Sequence, residues 1–288
     1  SPVHRWPVRR PRPVTQRLPA DEPLVTGQRI LDTLFPVARG GRAAIPGGFG
    51  TGKTVLQETL AKWCHADIIV YVGCGERGNE MAEVLDEFPR LVDPRNGRAL
   101  MERTVIIANA SNMPVAAREA SIYTAVTVAE YFRDLDQSVL CMMDSVTRFA
   151  MAQREIGLSA GEPPTAKGYT PTVFTELPKL LERAGPGLNE GTITGIFTVL
   201  VDGDDHNEPV ADAVRGILDG HIVMERGIAE RGRYPAINVL KSVSRTMPRS
   251  ADPQYWPVIQ KAKQVMATYA DMEELIRLGA YRAGSSPE

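Results

Sequence analysis

Short apolar runs alternate with stretches of helical spacing along the first half of this chain. The runs Asp67 to Cys74, Thr104 to Ala108 and Ser138 to Met143 are almost entirely apolar, which is typical of strands covered on both faces. Between them, Asn79 to Phe88 and Val115 to Phe132 predict helices. The alternation indicates an α/β fold with a mostly parallel sheet flanked by helices, in which ligands gather at the carboxyl ends of the strands.

The second half predicts less regular structure. Gly157 to Gly168 contains three glycines and two prolines and is expected to form an exposed loop. Asp252 to Leu278 has helical spacing throughout, which predicts the start of a C-terminal helical domain. The elements predicted between these two segments are a helix over Val173 to Arg183, a strand over Thr192 to Val201, an acidic turn over Asp202 to Glu208, a short helix over Pro209 to Leu218 and a strand over His221 to Met224.

Residues 1–23 are rich in proline and arginine and predict an N-terminal arm. The basic run His4 to Arg17 holds five arginines, and such runs are usually solvated and extended. Pro23 to Pro36 then shows helical spacing, with Thr26 as the expected N-cap.

The composition is typical of a globular protein, and the net charge bears on whether the chain binds nucleic acid. The chain has 288 residues, 43% hydrophobic and 24% charged, and its net charge of −2 argues against a protein built mainly to bind nucleic acid. Three cysteines without CxxC spacing predict reduced core residues in a cytoplasmic protein. The four histidines have no metal-ligand spacing. No apolar run approaches the ~18 residues that cross a bilayer, so a membrane role would come only through a partner.

The stretch Gly47 to Thr54 reads GGFGTGKT and fits the pattern GxxxxGK[ST] in full. A strand-like run ends just before it and a helical run, Val55 to Trp63, follows, which is the context that a phosphate-binding loop requires. Backbone N–H groups and the helix N-terminus would hold the phosphates, Lys53 would reach the terminal phosphates, and the Thr54 hydroxyl would bind Mg²⁺. The predicted nucleotide-binding residues are Gly47, Gly48, Phe49, Gly50, Thr51, Gly52, Lys53, Thr54 and Val55.

Two carboxylates at predicted strand ends are candidates for the chemistry of nucleotide hydrolysis. Asp144 follows the apolar run SVLCMM and fits the metal-supporting carboxylate of such enzymes. Glu76 follows another predicted strand and is the candidate that orients the attacking water. The alternative for Glu76 is a salt bridge with the adjacent Arg77.

Five blocks of the sequence, in this order, resemble the rotary ATPase superfamily. This group includes the catalytic subunits of F-, V- and A-type ATPases and the hexameric ATPases of flagellar and type III secretion systems. The blocks are GGFGTGKT, GCGERGNE (Gly73 to Glu80), the segment Asn109 to Tyr131, DSVTRFAMAQREIG (Asp144 to Gly157) and SVSR (Ser242 to Arg245). The resemblance implies a RecA-like P-loop NTPase core at 24–250, followed by a partial C-terminal helical domain at 251–288.

The resemblance also implies Mg²⁺-dependent hydrolysis of ATP to ADP. It assigns the hydrolytic water to Glu76 and places Arg77 and Arg148 near the γ-phosphate. Asp144 corresponds to the Walker B carboxylate. Tyr234, in the match YPA, resembles the aromatic residue that stacks on adenine, with ordinary core packing as the alternative.

Arg245, in the block SVSR, resembles an arginine finger that reaches into the active site of a neighbouring subunit. Such a finger stabilises the charge of the transferred phosphoryl group. A chain with both the loop and the finger implies a homo-oligomer, most simply a six-membered ring. The loop Gly161 to Tyr169 resembles the family's channel-facing loop, which contacts a central-stalk or export-apparatus protein; the alternative is a plain surface loop.

The resemblance changes along the chain. Up to about Arg133 the sequence is most similar to the catalytic subunits of V- and A-type ATPases, and from Asp144 onward to flagellar or type III secretion ATPases. The N-terminal β-barrel with which the family holds its hexameric crown has no counterpart. This combination suggests an engineered, ancestral-type or trimmed catalytic core, in which assembly is weakened.

Two other functions remain as alternatives. One is a RecA-type motor that moves nucleic acid, against which the acidic balance counts. The other is a nucleotide-binding subunit that does not hydrolyse, against which Glu76 counts, because non-catalytic members of the family lack that carboxylate.

Overall fold

The computed structural model describes residues 5–14, 16, 18–201, 205 and 208–284. Most of the predicted acidic turn (202–204, 206 and 207) and both ends of the basic run, His4 and Arg17, lie outside these residues. The strands of the described residues are β1 (Pro23–Leu24), β2 (Val37–Ala38), β3 (Arg42–Gly47), β4 (Ile68–Glu76), β5 (Thr104–Ala110), β6 (Ser138–Asp144), β7 (Gly185–Pro186), β8 (Thr192–Leu200), β9 (Gly220–His221) and β10 (Val243–Ser244). The helices are α1 (Arg29–Leu34), α2 (Lys53–Trp63), α3 (Gly78–Glu87), α4 (Val115–Asp134), α5 (Val146–Ser159), α6 (Pro171–Leu181), α7 (Pro209–Ile217), α8 (Arg226–Glu230) and α9 (Trp256–Arg277).

A mostly parallel sheet runs through the centre of the described chain, in the order β10-β9-β3-β8-β6-β4-β5. Each pair from β9 to β5 is parallel, whereas the edge strand β10 pairs with β9 in the antiparallel direction, as β7 does with β8. The phosphate loop follows β3, Glu76 ends β4 and Asp144 ends β6. Parallel pairing therefore brings these three strand ends to one edge of the sheet.

The sheet is covered on both faces, as its continuous apolar strands predict. Along β4, Val70 and Val72 point into one core with helices α4 to α7, while Ile69 and Tyr71 point into the opposite core with α1 to α3. Successive strand residues face opposite sides, so a strand between two helical layers must be apolar at every position. The predicted α/β architecture is thereby confirmed.

Three local predictions are wrong. Thr26 does not cap α1, because its hydroxyl donates to the Asp32 carboxylate at 2.6 Å and the helix begins only at Arg29. The strand predicted over His221 to Met224 is regular only over Gly220–His221. Beyond it, Ile222 and Met224 still donate to β3 carbonyls, at 2.8 and 3.0 Å, while the Val223 carbonyl accepts from Asn238 on the other side. The loop predicted from Gly157 begins later, since α5 continues to Ser159. Gly157 serves close packing there, for a Cβ would lie 2.5 Å from Thr170 Oγ1.

The N-terminal basic run is not a solvated arm where the structure describes it. Val8 packs against the core, and Arg9 pairs with Glu119 of α4. The backbone N–H of Arg12 donates to Glu130 at 2.8 Å. Glu119 and Glu130 are both buried, and a buried carboxylate requires cations or hydrogen-bond donors. These two carboxylates explain why the run docks.

Helix α9 lies over the α1 side of the fold. Ile259 is its buried residue, and the Lys263 ammonium lies 4.5 Å from the centre of the Phe35 ring. Farther along α9, Glu273 pairs with Arg231 at 3.2 Å. Within the described ranges, none of the helices combines the length and apolar character needed to span a bilayer. The three cysteines are buried and free, as predicted: Cys64, Cys74 and Cys141.

Candidate active site

The phosphate loop connects β3 to α2 through two glycines in the left-handed region. Gly50 has φ of 75° and Gly52 has φ of 83°, values that only glycine adopts without strain. The Thr51 hydroxyl donates to the Gly48 carbonyl at 3.0 Å, which closes the loop on itself. The backbone N–H groups of residues 48–52 have no partner within the described ranges, so they remain available to an anion.

Lys53 lies beneath this loop and faces two carboxylates. Its Nζ atom donates to the Gly47 carbonyl at 2.9 Å. Burial lowers the pKa of Lys53, while the charges of Asp144 and Glu76 act in the opposite direction. The lysine therefore belongs electrostatically to the same site as both predicted catalytic carboxylates.

Glu76 pairs with Arg148. Arg148 Nη1 lies 2.6 Å from Glu76 Oε1 and donates to the Gly75 carbonyl at 2.8 Å. Burial raises the pKa of Glu76, with the Asp144 charge and a hydrogen bond to Glu80 adding to the rise and Arg148 opposing it. A base whose pKa is raised holds a proton more tightly than an exposed carboxylate.

The alternative salt bridge between Glu76 and Arg77 is wrong. Arg77 is exposed and its guanidinium lies 5.0 Å from the centre of the Phe49 ring, at the tip of the phosphate loop. Phe49 is itself 42% exposed. Because Arg77 follows the end of β4, it turns outward over the loop while Glu76 remains buried.

Asp144 and Thr54 are the two residues predicted to hold Mg²⁺. Thr198 donates to Asp144 Oδ1 at 2.5 Å, which orients the carboxylate, and Thr54 is exposed at the start of α2. No cluster of three or more His, Cys, Asp or Glu side chains suited to a metal occurs in the part of the chain that the structure describes. A single carboxylate with a hydroxyl agrees with the way Mg²⁺ is held in phosphate sites, where substrate phosphates and water supply the other ligands.

Tyr234 lies beside the loop and not in the core. A Cβ on Gly52 would lie 3.7 Å from the Tyr234 ring, and the ring is 65% exposed. The alternative of core packing is therefore wrong. Val55, at 66% exposure, is also free of the core. Tyr234 presents an open aromatic ring beside Gly52 of the loop.

Arg245 is not brought to the site of its own chain. Its guanidinium donates to the carbonyls of Arg215 and Leu218, at the C-terminal end of α7. It follows β10, which is five strands away from β4 in the sheet order. At a strand spacing of about 4.8 Å, the five steps from β10 to β4 span roughly 24 Å across the sheet. The Arg245 N–H donates to the Asp219 carbonyl, and the Asp219 N–H donates to Arg42 at the start of β3. Arg245 therefore lies at the amino ends of the strands, whereas the phosphate loop and Glu76 lie at the carboxyl ends.

Four residues that sequence patterns did not single out support the site. Arg226 donates to the Phe49 carbonyl at 3.0 Å, and Thr198 orients Asp144. Asn109 Oδ1 accepts a hydrogen bond from the Gly75 N–H at 3.0 Å. Arg118 packs closely on Gly75, since a Cβ added to Gly75 would lie 2.9 Å from the Arg118 side chain. Asn109 and Arg118 lie within the segment matched to the rotary ATPases, but none of the four has a local pattern that would mark its role.

The chain has the fold and loop of a P-loop nucleotide-binding domain. The family model described as "ATP synthase alpha/beta family, nucleotide-binding domain" matches residues 27–244, and that of the "T3SS EscN ATPase C-terminal domain" matches residues 251–288. The chain therefore belongs to the ATP synthase alpha/beta family.

Relatives from two branches of this family match the chain. It is 56% identical to the flagellum-specific ATP synthase of Caulobacter vibrioides, covering 96% of this chain and 62% of the relative. It is 50% identical to an A-type ATP synthase subunit of Methanospirillum hungatei, covering 96% of this chain and 49% of the relative. The chain thus spans about half to two thirds of the length of these relatives.

A solved structure supports the same fold. The assembled ATPase EscN of the enteropathogenic E. coli type III secretion system, in complex with its central stalk EscO, superimposes with a TM-score of 0.85 at 41% identity. The match covers 96% of this chain and 65% of that chain.

Proposed function

We propose that this chain is the catalytic core of a rotary or secretion-type ATPase and hydrolyses ATP to ADP. The observation that carries the proposal is the meeting of Lys53, Asp144 and the Glu76–Arg148 pair at the carboxyl ends of adjacent or near-adjacent parallel strands. Phosphoryl transfer requires this combination of phosphate cradle, metal-supporting carboxylate and water-orienting carboxylate.

Each side chain has a distinct part in this proposal. Lys53 leaves the Gly47 carbonyl and contacts the terminal phosphates, and Tyr234 stacks on adenine. Glu76 accepts a hydrogen bond from the attacking water and orients it, while Arg148 holds the carboxylate in place. Arg77 lies over the open side of the loop, where it would face the γ-phosphate. Thr54 and Asp144 would hold Mg²⁺, which supplies positive charge to the phosphate oxygens.

We further propose that the complete site is shared between copies of the chain. Arg245 is exposed and lies at the amino ends of the strands, away from Glu76 at the carboxyl end of β4, which supports a role at a neighbour's site and not at its own. Head-to-tail contacts of this kind close into rings, and the similar EscN was solved as an assembly with a stalk. By the same similarity, a central-stalk or export-apparatus protein is the proposed partner, and Gly161 to Tyr169 is the proposed contact.

The division into an arm (1–23), a nucleotide-binding domain (24–250) and the start of a helical domain (251–288) is part of this proposal. The ranges of the two family matches support it. We place the activity in the cytoplasm, where ATP is available, and expect no nucleic-acid substrate.

ATP turnover per chain, measured against protein concentration, tests the proposal. We expect specific activity to rise with concentration, and Arg245→Ala to remain low at every concentration. Arg249→Ala, an exposed arginine four residues away, is the matched control and should behave as the parent chain. Activity independent of both concentration and Arg245 would contradict the shared site. Turnover that Glu76→Gln leaves unchanged would contradict the assigned chemistry and favour a non-hydrolysing subunit.

A further inference from the structure

Three successive carbonyls of the phosphate loop are each bound by a side chain. Lys53 Nζ donates to the Gly47 carbonyl at 2.9 Å, and Thr51 Oγ1 donates to the Gly48 carbonyl at 3.0 Å. Arg226 Nη2 donates to the next carbonyl, that of Phe49, at 3.0 Å. The first two donors belong to the GxxxxGK[ST] motif, whereas Arg226 lies 177 residues away in sequence.

Holding a carbonyl also orients the following N–H group. A trans peptide is planar, so its C=O and N–H point in opposite directions. The contact of Arg226 with the Phe49 carbonyl therefore sets the direction of the Gly50 N–H. Gly50 has φ of 75°, and among the residues that the structure describes nothing would lie within 4 Å of a Cβ there. Phe49 itself is contacted through its ring by Arg77, but its carbonyl is held by Arg226.

Arg226 is firmly placed for this contact. Met224, two residues earlier in the chain, donates its N–H to the Pro46 carbonyl at 3.0 Å. A Cβ added to Gly47 would lie 3.1 Å from the Met224 Cβ, so the two segments are closely packed. The N–H of Glu225 donates to Ala236 at 2.9 Å. Arg226 is exposed, and its side chain reaches the loop from the start of α8.

We propose that Arg226 is a positioning residue for phosphate binding, which acts by fixing the Phe49–Gly50 peptide so that the Gly50 N–H faces the phosphates. This inference rests on the proposed function. When Lys53 moves to the nucleotide, its contact with Gly47 is lost, and Thr51 and Arg226 remain as the side chains that hold the loop. Arg226 contributes through the loop backbone and not through contact with the γ-phosphate.

The test measures dissociation constants for ATP and ADP by calorimetry, together with kcat and KM, for the full chain. We expect Arg226→Ala to raise the dissociation constants of ATP and ADP by the same factor, about three- to tenfold, which corresponds to the loss of one hydrogen bond. KM should rise by a similar factor with kcat nearly unchanged. Arg226→Lys, which keeps a donor and the charge, should recover part of the affinity. Arg231→Ala is the matched control, because it removes an arginine of the same segment whose partner is Glu273.

Other outcomes would overturn the inference. Unchanged affinities in Arg226→Ala, with normal binding by the parent chain, would show that the loop needs no third tether and would leave the proposed function intact. A loss of affinity for ATP alone, with ADP binding unchanged, would show that Arg226 contacts the γ-phosphate directly. An equal loss in Arg231→Ala would show a general effect of the segment. Failure of the parent chain to bind nucleotide would overturn both the inference and the proposed function. Thermal melting without nucleotide checks that Arg226→Ala is folded.

Discussion

Arg148 Nη1 lies 2.6 Å from Glu76 Oε1 and also donates to the carbonyl of Gly75, the residue before Glu76. One guanidinium therefore holds both the carboxylate and the backbone that carries it. This arrangement restrains Glu76 at the end of β4 and keeps a positive charge beside a buried acid, so both its position and its ionisation depend on Arg148.

Removing Arg148 should slow hydrolysis and shift its pH dependence. Arg148 lowers the pKa of Glu76 against the opposing effect of burial, so Arg148→Ala raises this pKa further. Because the base must be ionised, we expect the acid limb of the kcat/KM profile to move to higher pH and kcat to fall by about 10²-fold or more. Because burial raises the pKa of Glu76 to about 9, steady-state kinetics from about pH 7 to 10.5 measure both effects. An unshifted acid limb would contradict the assignment of Glu76 as the base.

Gly75→Ala should damage the site, whereas Gly78→Ala should not. Gly75 has φ of 66°, and a Cβ there would lie 2.9 Å from the Arg118 side chain and 3.3 Å from that of Arg148. We expect a loss of about 1–3 kcal/mol in the free energy of unfolding and a lower kcat, because Arg148 is displaced from Glu76. At Gly78, at the start of α3, a Cβ would meet no atom of the described residues within 4 Å. Urea unfolding and turnover of the two variants provide the comparison.

Breaking the buried pair between Arg183 and Glu130 should be costly. Their side chains are 3% and 1% exposed, and Arg183 also donates to the Val8 carbonyl at 2.7 Å. Arg183→Met leaves the Glu130 carboxylate buried with reduced compensation, so we expect a loss of about 3–5 kcal/mol in the free energy of unfolding.

The control for this prediction is Lys179→Met. Lys179 pairs with Glu176, which is partly exposed, so we expect this variant to lose less than about 1 kcal/mol in the free energy of unfolding. Urea titrations at neutral pH measure both variants. Equal effects in the two variants would show that burial of the Arg183–Glu130 pair does not make its loss costly.

Glu58→Gln should stabilise the chain at neutral and alkaline pH but not at acid pH. Burial, followed by the charges of Glu87 and Glu83, raises the pKa of Glu58 to about 7, from an ordinary value of 4.5. A raised pKa means that the folded state prefers the protonated acid, so stability is lost as the pH rises through about 7. The amide avoids this loss.

We expect Glu58→Gln to gain less than about 1 kcal/mol at about pH 8.5, since Glu58 is only half-buried, and nothing near pH 4.5. Chemical unfolding at the two pH values measures the difference. Glu155→Gln, at an exposed position of α5, should show no such pH dependence. A gain of the same size at both pH values would contradict the explanation.

Local patterns predicted most of the fold, because each rests on neighbours in sequence. The apolar run at Ser138 to Met143 predicts β6, and the spacing of Val115 to Phe132 predicts α4 to within two residues at its C-terminal end. GGFGTGKT needed only its own glycines and flanking elements to be assigned as a phosphate loop. The errors fell where another contact competed with the local pattern, as at Thr26, whose hydroxyl donates to Asp32 and does not cap α1.

The sequence by itself determined the α/β class, the phosphate loop and the two carboxylates at strand ends, since periodicity and short motifs depend on local backbone geometry. The tertiary structure alone decided that Glu76 pairs with Arg148 and not with the adjacent Arg77, and that Arg226 binds the loop from 177 residues away. Those contacts depend on the order of strands in the sheet and on the direction in which each side chain leaves it, and neither property is written in any short stretch of residues.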